Sequence, residues 1–141
     1  MRTEFIIATI FSIATLLLSC DKDDLDVKDG TYKGTFTVTY SSGTQTGQTT
    51  LELKNGKFSC SGNSNRIPAG GSGTFSYDNK KITFNDENAW PADFDWNLIL
   101  SGKYDYSFDG KTLKISANKN DVGNYKYDLE KQGNGEIEYK L

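Results

Sequence analysis

The sequence has no histidine. That removes the commonest general base, the commonest zinc ligand, and any Ser-His-Asp or Cys-His arrangement for nucleophilic catalysis. Cysteine is nearly absent too, occurring only at Cys20 and Cys60, so no framework of disulfides replaces a hydrophobic core. Positive charge is not in excess: 16 Lys and Arg stand against 19 Asp and Glu, a formal net charge of −3. An acidic chain without a basic stripe repels phosphates, which argues against nucleic acid as a partner even though stacking aromatics are plentiful. Nor is there an apolar run of the ~20 residues that a membrane-spanning helix needs.

The longest apolar run goes from Phe5 to Leu18 and is interrupted only by small polar residues such as Thr9, Ser12 and Thr15. It follows Arg2, shows no polar helical face and is too short to span a bilayer, so it reads as the core of a secretory signal. It ends in Leu17-Leu18-Ser19-Cys20, which resembles a lipobox: an apolar residue three before the cut, a small residue just before it, and a cysteine after it. The resemblance implies that residues 1–19 are removed, that Cys20 carries a diacylglycerol thioether, and that the new amino terminus is acylated with a fatty acid such as palmitate. The alternative is an ordinary signal peptide with an incidental cysteine. Asp21-Lys22-Asp23-Asp24-Leu25-Asp26 is too polar to fold alone and belongs to a lipidated tether, residues 20–29. An acidic stretch in this place resembles the surface-export signal of Bacteroidetes-type lipoproteins; a plain solvated spacer is the other reading. The expected location is the bacterial outer membrane, lipid-anchored and surface-facing.

Residues 30–141 are enough for one domain with a real core and too few for two. From Gly30 onward apolar residues recur with period two, which places them on one face of successive strands. Tyr32, Gly34, Phe36, Val38 and Tyr40 alternate with Thr31, Lys33, Thr35, Thr37 and Thr39; Leu51 and Leu53 lead through Asn55-Gly56 to Phe58 and Cys60. Asn-Gly tolerates positive φ at both turn positions and is a strong hairpin signal. Cys60, in register with Phe58, reads as a buried small apolar side chain. Phe75 and Tyr77 turn through Asp78-Asn79 to Ile82 and Phe84, and a long strand through Leu98, Leu100, Tyr104, Tyr106 and Phe108 ends at Asp109-Gly110. Leu113, Ile115 and Ala117, a polar loop from Asn118 to Gly123, then Tyr125, Tyr127 and Leu129 follow, with a short last strand at Ile137, Tyr139 and Leu141. Ala69-Gly70-Gly71-Ser72-Gly73 lacks the ending of a phosphate loop and reads, with the polar loop before it, as a flexible connection. The expected fold is all-β: an antiparallel up-and-down meander of about eight strands, closed into a barrel because closure removes exposed edges. A two-sheet sandwich uses the same alternation.

This arrangement resembles the calycin group, lipocalins and small bacterial lipocalin-like proteins, over roughly residues 29 to 131. The resemblance rests on Gly30-Thr31-Tyr32-Lys33-Gly34-Thr35-Phe36 opening the first strand, with Tyr32 where lipocalins carry the tryptophan of Gly-x-Trp, and on the serial hairpins that follow. It implies a barrel whose interior and mouth hold a small ligand.

One stretch breaks period two: Asn85 to Asn97, with both tryptophans and the acids Asp86, Glu87, Asp93 and Asp95. Connections concentrate binding residues, so Trp90 and Trp96 are candidate stacking surfaces at the barrel mouth, with Tyr104, Tyr106, Tyr125 and Tyr127 as candidate ligand contacts inside. The competing reading has the tryptophans fold back to plug the barrel. The acids lack the spacing of a calcium loop, and a glycosidase carboxylate pair is a remote third possibility. Tyrosines 32, 40, 77, 104, 106, 125 and 127 all fall on inward faces by alternation. The expected protein is a non-enzymatic, lipid-anchored surface barrel without cofactor or metal, binding a small amphipathic molecule or a glycan. A protein-binding module, such as a hydrolase inhibitor acting through its loops, is the alternative. An internal void would favour the first, a solid core the second.

Overall fold

The structure is a computed structural model in which residues 26–133 are described. The segment expected to be a secretory signal, Cys20, most of the expected tether and the last strand expected at 137–141 lie outside the described residues.

Eight strands follow one another: β1 (Gly30–Tyr40), β2 (Gly43–Lys54), β3 (Lys57–Cys60), β4 (Gly71–Tyr77), β5 (Lys81–Asp86), β6 (Gly102–Phe108), β7 (Thr112–Lys119) and β8 (Gly123–Lys131). Each pairs antiparallel with the next, and β8 closes on β1 from Tyr32↔Lys131 to Tyr40↔Gly123. The result is a closed up-and-down barrel that fits a lipocalin-like fold, and the sandwich alternative falls away. Packing begins before β1: Val27 is buried, and the Tyr32 hydroxyl donates to the Lys28 carbonyl at 2.5 Å.

Alternation places the core. Tyr32, Phe36 and Val38 of β1, Leu51 and Leu53 of β2, Ile82 and Phe84 of β5, Leu113 and Ile115 of β7, and Tyr125, Tyr127 and Leu129 of β8 are all buried. Their rings form a chain across the barrel. Phe58 meets Phe84 at 4.9 Å between centroids, Phe84 meets Tyr104 at 5.9 Å, Tyr104 meets Tyr127 at 6.3 Å, and Tyr127 meets Phe36 at 4.7 Å. Each such ring buries roughly 150–250 Å², and three of these four contacts are edge-on while Phe36 and Tyr127 are tilted. The interior of the described barrel is thus crossed by aromatic side chains.

Three expectations need correction. Ala69–Gly73 is not a flexible connection: Ala69, Gly70 and Gly71 are buried and β4 starts at Gly71. Its glycines serve close approach, since a Cβ on Gly73 would come within 2.0 Å of the Asn85 carbonyl across the sheet. Tyr77 does not point into the core but is 40% exposed at the end of β4, edge-on to Tyr106. The long strand expected from Leu98 instead starts at Gly102, because Trp96–Leu98 forms a 3-10 turn and the Leu98 carbonyl and Leu100 amide bond to Ala69 and Gly70.

Candidate functional site

The up-and-down order puts the tight turns after β2, β4 and β6 at one end of the barrel and the longer connections at the other. The second end is covered by residues 61–70, between β3 and β4, and 87–101, between β5 and β6. The inner part of the latter, Leu98, Ile99 and Leu100, is buried. The outer part, residues 88–96, is a strap that makes few backbone bonds and is fixed mainly by side chains.

Trp90 and Trp96 take different places in this strap. Trp90 is half-buried against the core, edge-on to Phe94 at 5.9 Å, and its indole donates to Asp86 Oδ2 at 2.6 Å. Trp96 is 55% exposed, yet its indole N–H is fixed on the Pro91 carbonyl at 2.9 Å. Between them runs an open cleft of about 460 Å³, lined also by Asp86, Asn88, Ile99 and Ser101. Asp86 holds three partners: its carboxylate accepts from the Ser72 amide, the Asn88 side chain and Trp90. Arg66 ties the strap to the neighbouring loop, pairing with Asp93 at 2.9 Å while lying over the Phe94 ring.

Beneath the strap is a second cluster. Asp95 Oδ2 accepts from the hydroxyls of Tyr40 at the end of β1 (2.7 Å) and Tyr125 near the start of β8 (2.8 Å), while Oδ1 accepts from the Asn97 amide (2.9 Å). Burial is the largest influence on this carboxyl and raises its pKa, but the two hydroxyls and the Asn97 contacts together outweigh it and hold it below the usual range. Burial, then the adjoining carboxylate, pushes the Tyr125 hydroxyl up to about 12. Lys119, at the end of β7, points inward. Its Nζ donates to the Tyr104 hydroxyl at 2.5 Å and to the carbonyls of Ser101 (3.1 Å) and Asn97 (3.4 Å), and it lies over the Tyr104 ring at 4.6 Å. Burial pulls its pKa down to about 8 against an upward pull from Asp95. Deeper, Tyr127 is buried and its hydroxyl has no hydrogen-bond partner among the described residues.

The six aromatic candidates therefore occupy four settings. Trp90 and Trp96 flank the cleft; Tyr104 and Tyr125 lie under the strap in the Lys119 and Asp95 cluster; Tyr127 lies in the aromatic core. Tyr106 is at the opposite end, its hydroxyl donating to the Asp78 carbonyl. Cys60 is buried beside Thr49, and burial pushes its thiol up to about 11. Among the described residues no group of three or more acids and cysteines is gathered as a metal cage. Sequence reasoning missed Lys119 and the pairing of Asp95 with two tyrosines. Lys119 had a signal: it continues the inward register Leu113, Ile115, Ala117. Asp95 had none beyond being one acid among several.

No protein-family model matches the chain, and neither a curated protein nor a solved structure matches it.

Proposed function

We propose that this chain is a lipid-anchored cell-surface lipoprotein whose barrel presents a glycan-binding cleft between Trp90 and Trp96, and that it works by recognition rather than catalysis. The observation that carries the reading is Trp96. A large aromatic more than half exposed is ordinarily unfavourable to hold in one orientation, yet this indole is fixed by its bond to Pro91 beside a cleft with polar groups. A fixed aromatic face flanked by an amide (Asn88) and a hydroxyl (Ser101) suits the apolar face and hydroxyl rim of a sugar ring. The aromatic filling of the barrel favours a ligand held outside over an amphipathic molecule held within. Anchoring rests on the leader and Leu17-Leu18-Ser19-Cys20, and the acidic residues after Cys20 support display on the outer surface.

Two measurements test the reading. Radioactive palmitate fed to cells should label the wild type and not Cys20→Ser; an unlabelled wild type overturns the anchor. On a glycan array the soluble domain should give hits that Trp96→Ala loses; hits that survive the change overturn the cleft. The aromatic interior and the exposed outer residues of the strap favour a second reading, a module that inhibits another protein through residues 88–96. Loss of a protein partner, with no glycan bound, would select it.

A further inference from the structure

The tryptophan cleft and the Asp95 cluster lie back to back. Ser101 lines the cleft, and its carbonyl accepts from Lys119 on the other side. In that inner cluster the hydroxyls of Tyr40 and Tyr125 converge on one carboxylate oxygen. Lys119 adds a largely buried ammonium whose hydrogen-bond partners are all neutral, and among the described residues no ion pair includes it. Asp95 acts on this cation through space and not as a direct ion pair, so an anion that reaches Nζ adds a contact the cation lacks. Next to Tyr104, the buried Tyr127 hydroxyl has no hydrogen-bond partner among the described residues.

The present occupant joins the outer strap, which has few backbone bonds, to the 3-10 turn, where the Asp95 carbonyl accepts the Leu98 amide. Among the described residues no backbone–backbone hydrogen bond is made by residues 88–94; the strap is held by Trp90 on Asp86, Asp93 on Arg66 and Asp95 on the two tyrosines. Residues 97–101 are pinned instead by the Ala69 and Gly70 backbone bonds and by Lys119. Segments with few backbone bonds and little buried surface open locally at a small fraction of the global stability.

We propose that Tyr40, Tyr125 and Lys119 form a carboxylate-binding pocket, that Asp95 is its built-in occupant, and that the ligand of the cleft is an acidic saccharide whose uronate carboxylate displaces Asp95. The saccharide part rests on the glycan reading above; the carboxylate part rests on the pocket alone. The exchange is carboxylate for carboxylate, so both tyrosine hydroxyls keep an acceptor. The ligand adds what Asp95 lacks, approach to Lys119 and stacking on Trp96.

Two arms keep these parts separable. In the first, sodium acetate should raise the melting temperature of Asp95→Ala, while sodium chloride at equal ionic strength and acetate on the wild type should not. Adding Tyr125→Phe should abolish this rescue. Absence of rescue, or equal effects on both proteins, overturns the pocket. If the alanine variant does not fold, Asp95→Asn should show the same rescue with smaller amplitude, and no rescue there overturns the pocket equally. In the second arm, tryptophan fluorescence follows titration with trigalacturonate and with its methyl ester. The wild type should favour the acid by about tenfold, Asp95→Ala should bind the acid about tenfold tighter still, and Lys119→Met should lose the preference. Equal binding of acid and ester without acetate rescue overturns the pocket and leaves the glycan reading; rescue without binding of either sugar overturns the saccharide and leaves the pocket.

Discussion

At the tight-turn end of the barrel, Asp78 accepts the amides of Lys80 and Lys81, and Asp109 accepts those of Lys111 and Thr112. At the strapped end, Asp95 accepts hydroxyls from Tyr125, 30 residues away, and Tyr40, 55 residues away. The same side chain thus closes a turn in one place and joins three separate parts of the chain in the other. An exposed turn carboxylate competes with water on nearly equal terms. A carboxylate under a strap holds a tertiary arrangement whose release changes what is accessible beneath it.

Both ends rest on the aromatic core, so the largest effect is expected there. Phe84→Ala removes a ring that touches Phe58, Phe75 and Tyr104, and should lower stability by about 3–5 kcal/mol through lost burial and a cavity. Urea denaturation measures it; a loss below about 1 kcal/mol would mean that the core is not the shared floor of both ends.

The comparison itself is tested by Asp95→Ala against Asp109→Ala. The first strands two tyrosine hydroxyls and should lose about 1–3 kcal/mol, with faster hydrogen exchange confined to the strap and the adjoining strand ends. The second should change the denaturation midpoint far less, because water replaces the carboxylate. Equal effects would erase the distinction between the ends.

A smaller effect concerns pH. The Lys119 amine has its pKa lowered from 10.5 to about 8 on folding. Between those values the unfolded chain holds a proton that the folded chain has released, so this group makes stability rise with pH from about 8. Cys60, raised from 9.0 to about 11, acts in the opposite sense above about 9, as do the buried tyrosines above their ordinary value. The difference in stability between wild type and Lys119→Met isolates the lysine: it should shift in favour of the wild type from pH 7 to pH 9.5. A difference independent of pH would mean that the amine is not desolvated.

Smallest of all, Trp96→Ala should change stability by no more than about 0.5 kcal/mol, while Trp90→Ala, which removes a ring packed on the core and a partner of Asp86, should lose more. Acrylamide should quench Trp96 fluorescence readily and Trp90 weakly. Equal quenching of the two would place both on the same side of the cleft wall.

The legibility of this molecule in its sequence divides along the same line as its two ends. Alternation located the inward faces of β1, β2, β6, β7 and β8, and Asn55-Gly56 and Asp109-Gly110 marked their turns, because both signals act between neighbours in the chain. Leu98 and Leu100 kept the right period but not the right structure: their backbone bonds are taken by Ala69 and Gly70, a pairing that no local rule announces. The Gly71–Gly73 segment was misjudged for the same reason, since what those glycines permit is the approach of β5. The strap was recognisable as a break in period, and its tryptophans as residues of interest. Its latch was not, because the partners of Asp95 are fixed only once the barrel has closed.

Closure pairs Tyr32 with Lys131 and Tyr40 with Gly123, joining the first described strand to the last described one. Loop-closure entropy over so long a separation makes this seam a late and slow event. During synthesis β1 has only β2 beside it, and its other edge stays open until β8 has emerged. The described barrel therefore closes only after β8 has been made. A nascent chain stalled before residue 123 presents an unpaired edge on β1, a template for adding strands from other molecules. The seam makes late completion of the barrel a property of the topology itself.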